Sequence, residues 1–181
     1  MKLLLATGNE HKARELGALL GRVRLELATL KEFPAVPPVV EDGRTLMENA
    51  VKKALEPAMA TGLWALADDT GLEVEALGGR PGVHSARYAG PDCDFKANCE
   101  KLLGELEGVP TLERRAVFRT VVALAAPDGR VQCREGRLEG RFARVDLPVA
   151  PPPTREDLQA RLDRGQPQEW AWDAEADKRF L

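Results

Sequence analysis

LLLATGNEHKAREL, residues 3–16, moves from an apolar run through Thr7-Gly8-Asn9 to a segment with helical spacing. Leu3, Leu4 and Leu5 are a continuous run, as in a strand covered on both faces. Ala13, Leu16, Leu19 and Leu20 recur at three- and four-residue intervals, which predicts a helix over 10–20 ended by Gly21. The unit is therefore strand, tight turn, helix. At such a junction the turn amides and the free N–H groups of the first helical turn point into the same space, a natural anion pocket. Thr7 and Asn9 add side-chain hydrogen bonds, Gly8 lets a backbone come close, and Lys12 places an ammonium one turn along. A second reading stands beside this one: Asn9 merely caps the helix and Lys12 is solvated. The segment is neither GxxxxGK[ST] nor GxGxxG, so two standard phosphate-binding fingerprints are excluded.

Working outward, residues 23–28 alternate as a half-buried strand, and a proline-rich connection follows over 33–40. Thr45-Leu-Met-Glu48 has the form of a capping box opening a helix from Leu46 to about Ala60, with Pro57 as a point of kinking. Residues 63–67 predict a short strand ending in Asp68-Asp69-Thr70-Gly71, and 72–77 another. The glycine-rich GGRPGVHSARYAG is a loop, 95–106 a helix, and Pro127-Asp128-Gly129 a turn between strands at 115–126 and 130–141. Beyond Arg141 the chain becomes proline-dense, with a short capped helix near 154–165 and two tryptophans, Trp170 and Trp172, for which packing is the favoured use. The division expected is 1–141 for the main domain and 142–181 for an atypical C-terminal segment.

Composition narrows the class. With 181 residues, 44% of them hydrophobic, the chain buries a core without staples. A net charge of −3 gives no large positive surface of the kind that general nucleic-acid binding requires, so anionic ligands must be met locally. Cys93, Cys99 and Cys133 have no CxxC spacing and are odd in number, which suits a reducing compartment and idle thiols. No apolar run approaches the roughly 20 residues of a membrane span, and the N-terminus lacks the length of a signal sequence. The expectation is a cytoplasmic protein with no nucleic-acid or membrane partner.

Acids supply the second half of a site. Glu41 and Asp42 precede the capping-box helix, and Asp68 and Asp69 follow an apolar strand, where open α/β sheets place ligands. Carboxylates with few other partners suit magnesium, which shares its shell with water and phosphates, and one of them can take a proton from attacking water. ADDTG also reads as a plain turn. In either case the adjacent acids need compensation, from Lys52, Lys53 or a metal.

ATGNEHKARELGALL, EDGRTLMENAVKKAL, ALADDTGLEVEALGGRPGVHSARYAG and the FRTVVALA to EGRLEGR strand pair resemble, in order and spacing, the inosine triphosphate pyrophosphatase family over about residues 1–141. The resemblance implies an α/β fold: a mixed, elongated twisted sheet flanked by helices, in two lobes with a central cleft. It implies a Mg²⁺-dependent homodimer that cleaves ITP, dITP or XTP to the monophosphate and pyrophosphate, a house-cleaning hydrolase of nucleotide metabolism. Carried over by position, Thr7, Gly8, Asn9, Glu10, His11 and Lys12 cradle the triphosphate, and Lys53, Thr70 and Arg87 also touch substrate, with a dimer contact the alternative for Arg87. Glu41 and Asp69 hold the metal, Asp68 shares it, and Asp69 is the catalytic proton acceptor. Tyr88 is assigned to packing. After EGRLEGR the family continues with GGFGYDP, a lysine and SHR, which bind the base; none is present here. The alternative is therefore a nucleotide-binding module with impaired turnover.

Overall fold

A computed structural model describes the backbone of residues 2–21, 23–92, 94–143 and 168–171. Strand β1, Lys2–Leu5, lies between β2, Glu26–Thr29, and β3, Trp64–Val74, and pairs in parallel with both. Leu3, Leu4 and Leu5 are buried, as a run covered on both faces requires. Burying the fully enclosed Leu4 is worth about 1.5–3 kcal/mol. The sheet continues from β3 to β5, Arg115–Ala125, β6, Val131–Ala143, and β7, Gln168–Ala171, in the order β2-β1-β3-β5-β6-β7, and the two-residue β4, Pro81–Gly82, pairs antiparallel with β3. Parallel and antiparallel pairs together make it a mixed sheet.

Helix α1, Glu10–Leu20, follows the first turn as the apolar spacing predicts. Helix α2, Leu46–Thr61, starts at Thr45, whose hydroxyl accepts from the Glu48 amide at 3.1 Å. The Glu48 carboxylate reaches the Arg44 amide instead of that of Thr45, so the capping box closes one residue further out. The helix runs on through Pro57 and ends at Gly62, which takes a left-handed conformation at φ 70° and donates to the Ala58 carbonyl. Ala50, Ala54 and Ala58 form a buried stripe at four-residue intervals along α2.

The largest departure from the sequence reading is β3. Two strands with a turn at ADDTG are expected, yet one strand of 11 residues runs straight through Asp68, Asp69 and Thr70, and only 75–77 leave it as a short 3-10 turn. Charged residues normally interrupt a buried strand. Here each carboxylate meets an ammonium from a helix, which removes the reason for the strand to stop. Strands β5, Arg115–Ala125, and β6, Val131–Ala143, match expectation and are joined by a turn in which Ala126 N–H donates to the Arg130 carbonyl.

The chain forms two compact units, one of Met1–Thr70 with Thr120–Gly136, the other of Gly71–Arg119 with Arg137–Leu181. In the second, Leu72, Val74, Leu102, Leu106, Ala116 and Phe142 make a core, with α3, Phe95–Glu105, capped by Asp94. Strand β7, Gln168–Ala171, pairs in parallel with β6 and places the backbone of Trp170 opposite that of Phe142. The helix expected near 154–165, Trp172 and Cys93 lie outside the described residues, as does most of the 142–181 segment. Cys99 is buried, its thiol pushed up to about 11 by desolvation, which fits an idle role. No helix among the described residues is long and apolar enough to cross a membrane.

Candidate active site

Successive strand residues point to opposite faces. Alternation along β3 therefore sends Asp68 and Thr70 one way and Asp69 the other, and each face meets a different helix. On the first face, Lys12 of α1 donates to Asp68 Oδ2 at 2.7 Å, and Thr70 Oγ1 stands 3.3 Å from the same oxygen. Thr70 in turn shares a 2.9 Å hydroxyl contact with Thr120. Asp68 Oδ1 is buried and has no hydrogen-bond partner, the one such side-chain atom among the described residues. A buried carboxylate oxygen without a partner carries a desolvation cost that an external donor or cation would offset.

On the second face α2 presents two residues one turn apart. Lys53 Nζ lies 3.2 Å from Asp69 Oδ1 and 3.3 Å from Glu41 Oε2, and Asn49 Nδ2 donates to Asp69 Oδ2 at 3.2 Å. Burial pushes the Asp69 carboxyl above its ordinary value, Lys53 and the Asn49 bond pull it back, and Glu41 adds a smaller upward push. The net shift is upward, so desolvation dominates. Lys52 pairs instead with Asp42 at 2.7 Å, on the exposed side. Of the compensating groups weighed from sequence, Lys53 serves the Asp pair directly and Lys12 joins it.

The first turn is built partly as a cap. Lys12 N–H donates to Asn9 Oδ1 at 3.3 Å, and Asn9 N–H donates to Thr7 Oγ1 at 3.2 Å, so both polar side chains order the turn itself. Gly8 is exposed, and a Cβ built there would meet nothing within 4 Å, so packing inside the chain does not demand glycine. The side chains of Glu10 and His11 lie outside the described residues. Lys12, Glu41, Lys53, Asp68, Asp69 and Thr70 all fall in the first unit. Arg87 falls in the second, at the end of a 3-10 turn, Ser85–Arg87. No three His, Cys, Asp or Glu side chains among the described residues form a metal-binding group.

Two residues of this network escape the sequence reading. Asn49 carries a usable signal: it is a polar residue beside the apolar stripe of α2, four positions before Lys53. Thr120 sits in an ordinary alternating strand and gives none. In the second unit, Tyr88 does pack against the core, and its hydroxyl donates to Glu105 at 2.7 Å.

The arrangement places two ammonium groups, from two helices, beside three carboxylates, a setting that suits a polyphosphate and a hard cation. The Ham1 family model matches residues 3–146. A dITP/XTP pyrophosphatase of Desulforamulus reducens is 52% identical over 144 residues, covering 80% of this chain and 72% of that protein. One of Elusimicrobium minutum is also 52% identical over 144 residues, covering 77% and 73%. Among solved structures, a nucleoside-triphosphatase, dITP/XTP pyrophosphatase of Mycobacterium abscessus superposes with a TM-score of 0.70 at 41% identity, covering 80% of this chain and 76% of that one.

Proposed function

The chain belongs to the Ham1 family, the inosine triphosphate pyrophosphatase family its motifs resemble, and from that premise we propose how the first unit performs the reaction. The protein is a nucleoside triphosphate pyrophosphatase acting on non-canonical purine nucleoside triphosphates. In our reading the substrates are ITP, dITP and XTP, cut between the α and β phosphates. Water oxygen bonds to the α-phosphorus, the bond from that phosphorus to the bridging oxygen breaks, and pyrophosphate leaves with the electron pair. Asp69 accepts the proton that the water gives up. Lys12 and Lys53 offset charge on the triphosphate, and residues 7–12 receive it at the N-terminus of α1. Thr70 contacts substrate beside Asp68. The assignment of Arg87 to a phosphate rests on the resemblance alone.

The residues fit magnesium. The donor set is entirely carboxylate oxygen, and this ion takes one or two carboxylates while keeping water and substrate phosphates in its shell. Glu41 and Asp69, which share Lys53, would hold it. Asp68, on the other face of β3, is given a share of the ion by the resemblance, but its partnerless Oδ1 is instead a separate open acceptor. When bound, it would neutralise charge building on the departing pyrophosphate. From the resemblance we also carry a homodimer and a cytoplasmic location, the former checked by sedimentation.

One observation carries the mechanism: lysines from two helices close on adjacent acids of one strand, with an oxygen of Asp68 left over. Its test is pyrophosphate release from ITP, XTP, dITP, GTP, ATP and a modified pyrimidine triphosphate, with Mg²⁺ and with chelator. Release from ITP and XTP that chelation abolishes and Mg²⁺ restores is the expected result. Calorimetric binding of ITP without product would favour the binding-module alternative, for which the match ending at residue 146 is the motive. Preference for the pyrimidine would move the substrate class.

A further inference from the structure

Asn49 is 1% exposed, and its carboxamide is used at both ends. Oδ1 accepts from the Gly43 N–H at 2.8 Å, and Nδ2 donates to Asp69 Oδ2 at 3.2 Å. Among side chains of this size only an amide offers one acceptor and one donor in such an arrangement: aspartate lacks the donor and leucine lacks both. Lys53, one turn along the same helix, holds the other oxygen of Asp69 and also Glu41. Asn49 and Lys53 thus form a bracket, each fixing one oxygen of Asp69 and one point of the 41–43 segment. The fit at Gly43 is close, since a Cβ there would stand 2.5 Å from Asn49 Oδ1.

We propose that Asn49 is a positioning residue for the hydrolysis: its carboxamide ties the Gly43 backbone to Asp69 and sets the orientation in which that carboxylate meets water and substrate. The proposal rests on the reading of Asp69 as the acting group. Lys53 alone would leave the carboxylate free to rotate about its remaining oxygen, and a small misalignment at a reacting group costs rate more than binding. Asn49 touches no substrate in this role, so its removal should lower kcat and leave KM for ITP nearly unchanged.

The experiment compares wild type, Asn49→Ala, Gly43→Ala and the double variant by kcat and KM for ITP with Mg²⁺, thermal midpoint, and hydrogen exchange at the Gly43 amide. Asn49→Ala should lower kcat about 10- to 100-fold, the range for groups that orient a reacting ligand. Gly43→Ala crowds the carboxamide most closely, with the Glu48 Cβ at 2.9 Å and the Asn49 backbone nitrogen at 3.0 Å next, so it should act in the same direction. The double variant, in which the closest clash is gone, should be no slower than Asn49→Ala. Exchange at Gly43 should be slow in wild type and fast in Asn49→Ala, a readout independent of turnover. Unchanged kcat in both single variants with only a lower midpoint would overturn the role, as would multiplying losses or slow exchange in both proteins. A wild-type chain that releases no pyrophosphate from ITP would overturn the functional reading and this role with it. Should Asn49→Ala fail to fold, Asn49→Leu, which keeps the volume and lacks both the acceptor and the donor, carries the same test.

Discussion

Asp68 and Asp69 in the first unit, and Ser85, Tyr88 and Asn98 in the second, are all polar groups drawn toward an interior, but they are finished differently. The Ser85 hydroxyl accepts from the Leu72 amide and donates to the Gly82 carbonyl. Asn98 uses both ends of its amide on the backbone of Ala86 and Ala89. Tyr88 donates to Glu105, and Lys101 lies 4.4 Å over its ring. Around Asp68 the bonding stops short: one oxygen takes Lys12 and Thr70, the other takes nothing. Closed networks hold a loop in place, whereas an open one has capacity for something outside the chain. On this ground the loop around Ser85 and Tyr88 reads as architecture and Asp68 as open to a ligand, while Asp69, held at both oxygens, is distinguished by its place beside Glu41 and Lys53.

Four substitutions test the contrast, from the largest expected effect downward. Asp69→Asn keeps the shape and removes the proton acceptor proposed for the water, so kcat should fall by about 10²- to 10⁴-fold with the thermal transition preserved. Rates equal to wild type would erase the distinction between the regions. Lys12→Met leaves Asp68 without its cation and should weaken stability by roughly 1.5–3 kcal/mol, toward the lower end because the lysine is partly exposed. Urea titration measures that loss, and a rise in KM for ITP should accompany it. Asn98→Ala should cost about 1–3 kcal/mol by the same titration, with a kcat loss far smaller than that of Asp69→Asn.

Tyr88→Phe should show the smallest effect, about 0.5–1.5 kcal/mol near neutral pH, and a distinctive pH dependence. Burial, with the Glu105 bond second, pushes the phenol up to about 12 from 10.0. Because the folded value exceeds the unfolded one, this stabilisation is complete below pH 10.0 and is lost as pH rises toward about 12. The gap between wild type and variant should therefore narrow over that interval, as urea titrations at stepped pH would record. A constant gap would mean that the hydroxyl does not titrate in a closed network.

Much of the first unit was legible because its signals are local. The buried run of β1, the stripe of α1 and the Thr45 cap each depend on residues within one or two turns, and the structure keeps them. The length of β3 is hidden for the opposite reason. Whether Asp68-Asp69 ends a strand depends on cations 56 and 16 residues away in sequence, and no local pattern reports them. The same distance hides Thr120 from any reading of its own segment. Asn49 was within reach, since a polar residue four positions before Lys53 shares its side of a helix. The acids themselves are legible by residue type and place; their division between two faces follows from the alternation of a strand that the local pattern splits in two.

The alanine stripe of α2 has a consequence for how this protein tolerates change. Ala50 and Ala54 adjoin Asn49 and Lys53 in sequence, and both are fully enclosed, so even two added methyl groups at Ala54 would have to lift the helix. Such a shift moves the amide and the ammonium together, away from the carboxylate they hold. Damage at this seam would thus surface as slow turnover in a chain that still folds, and a screen for solubility alone would pass it.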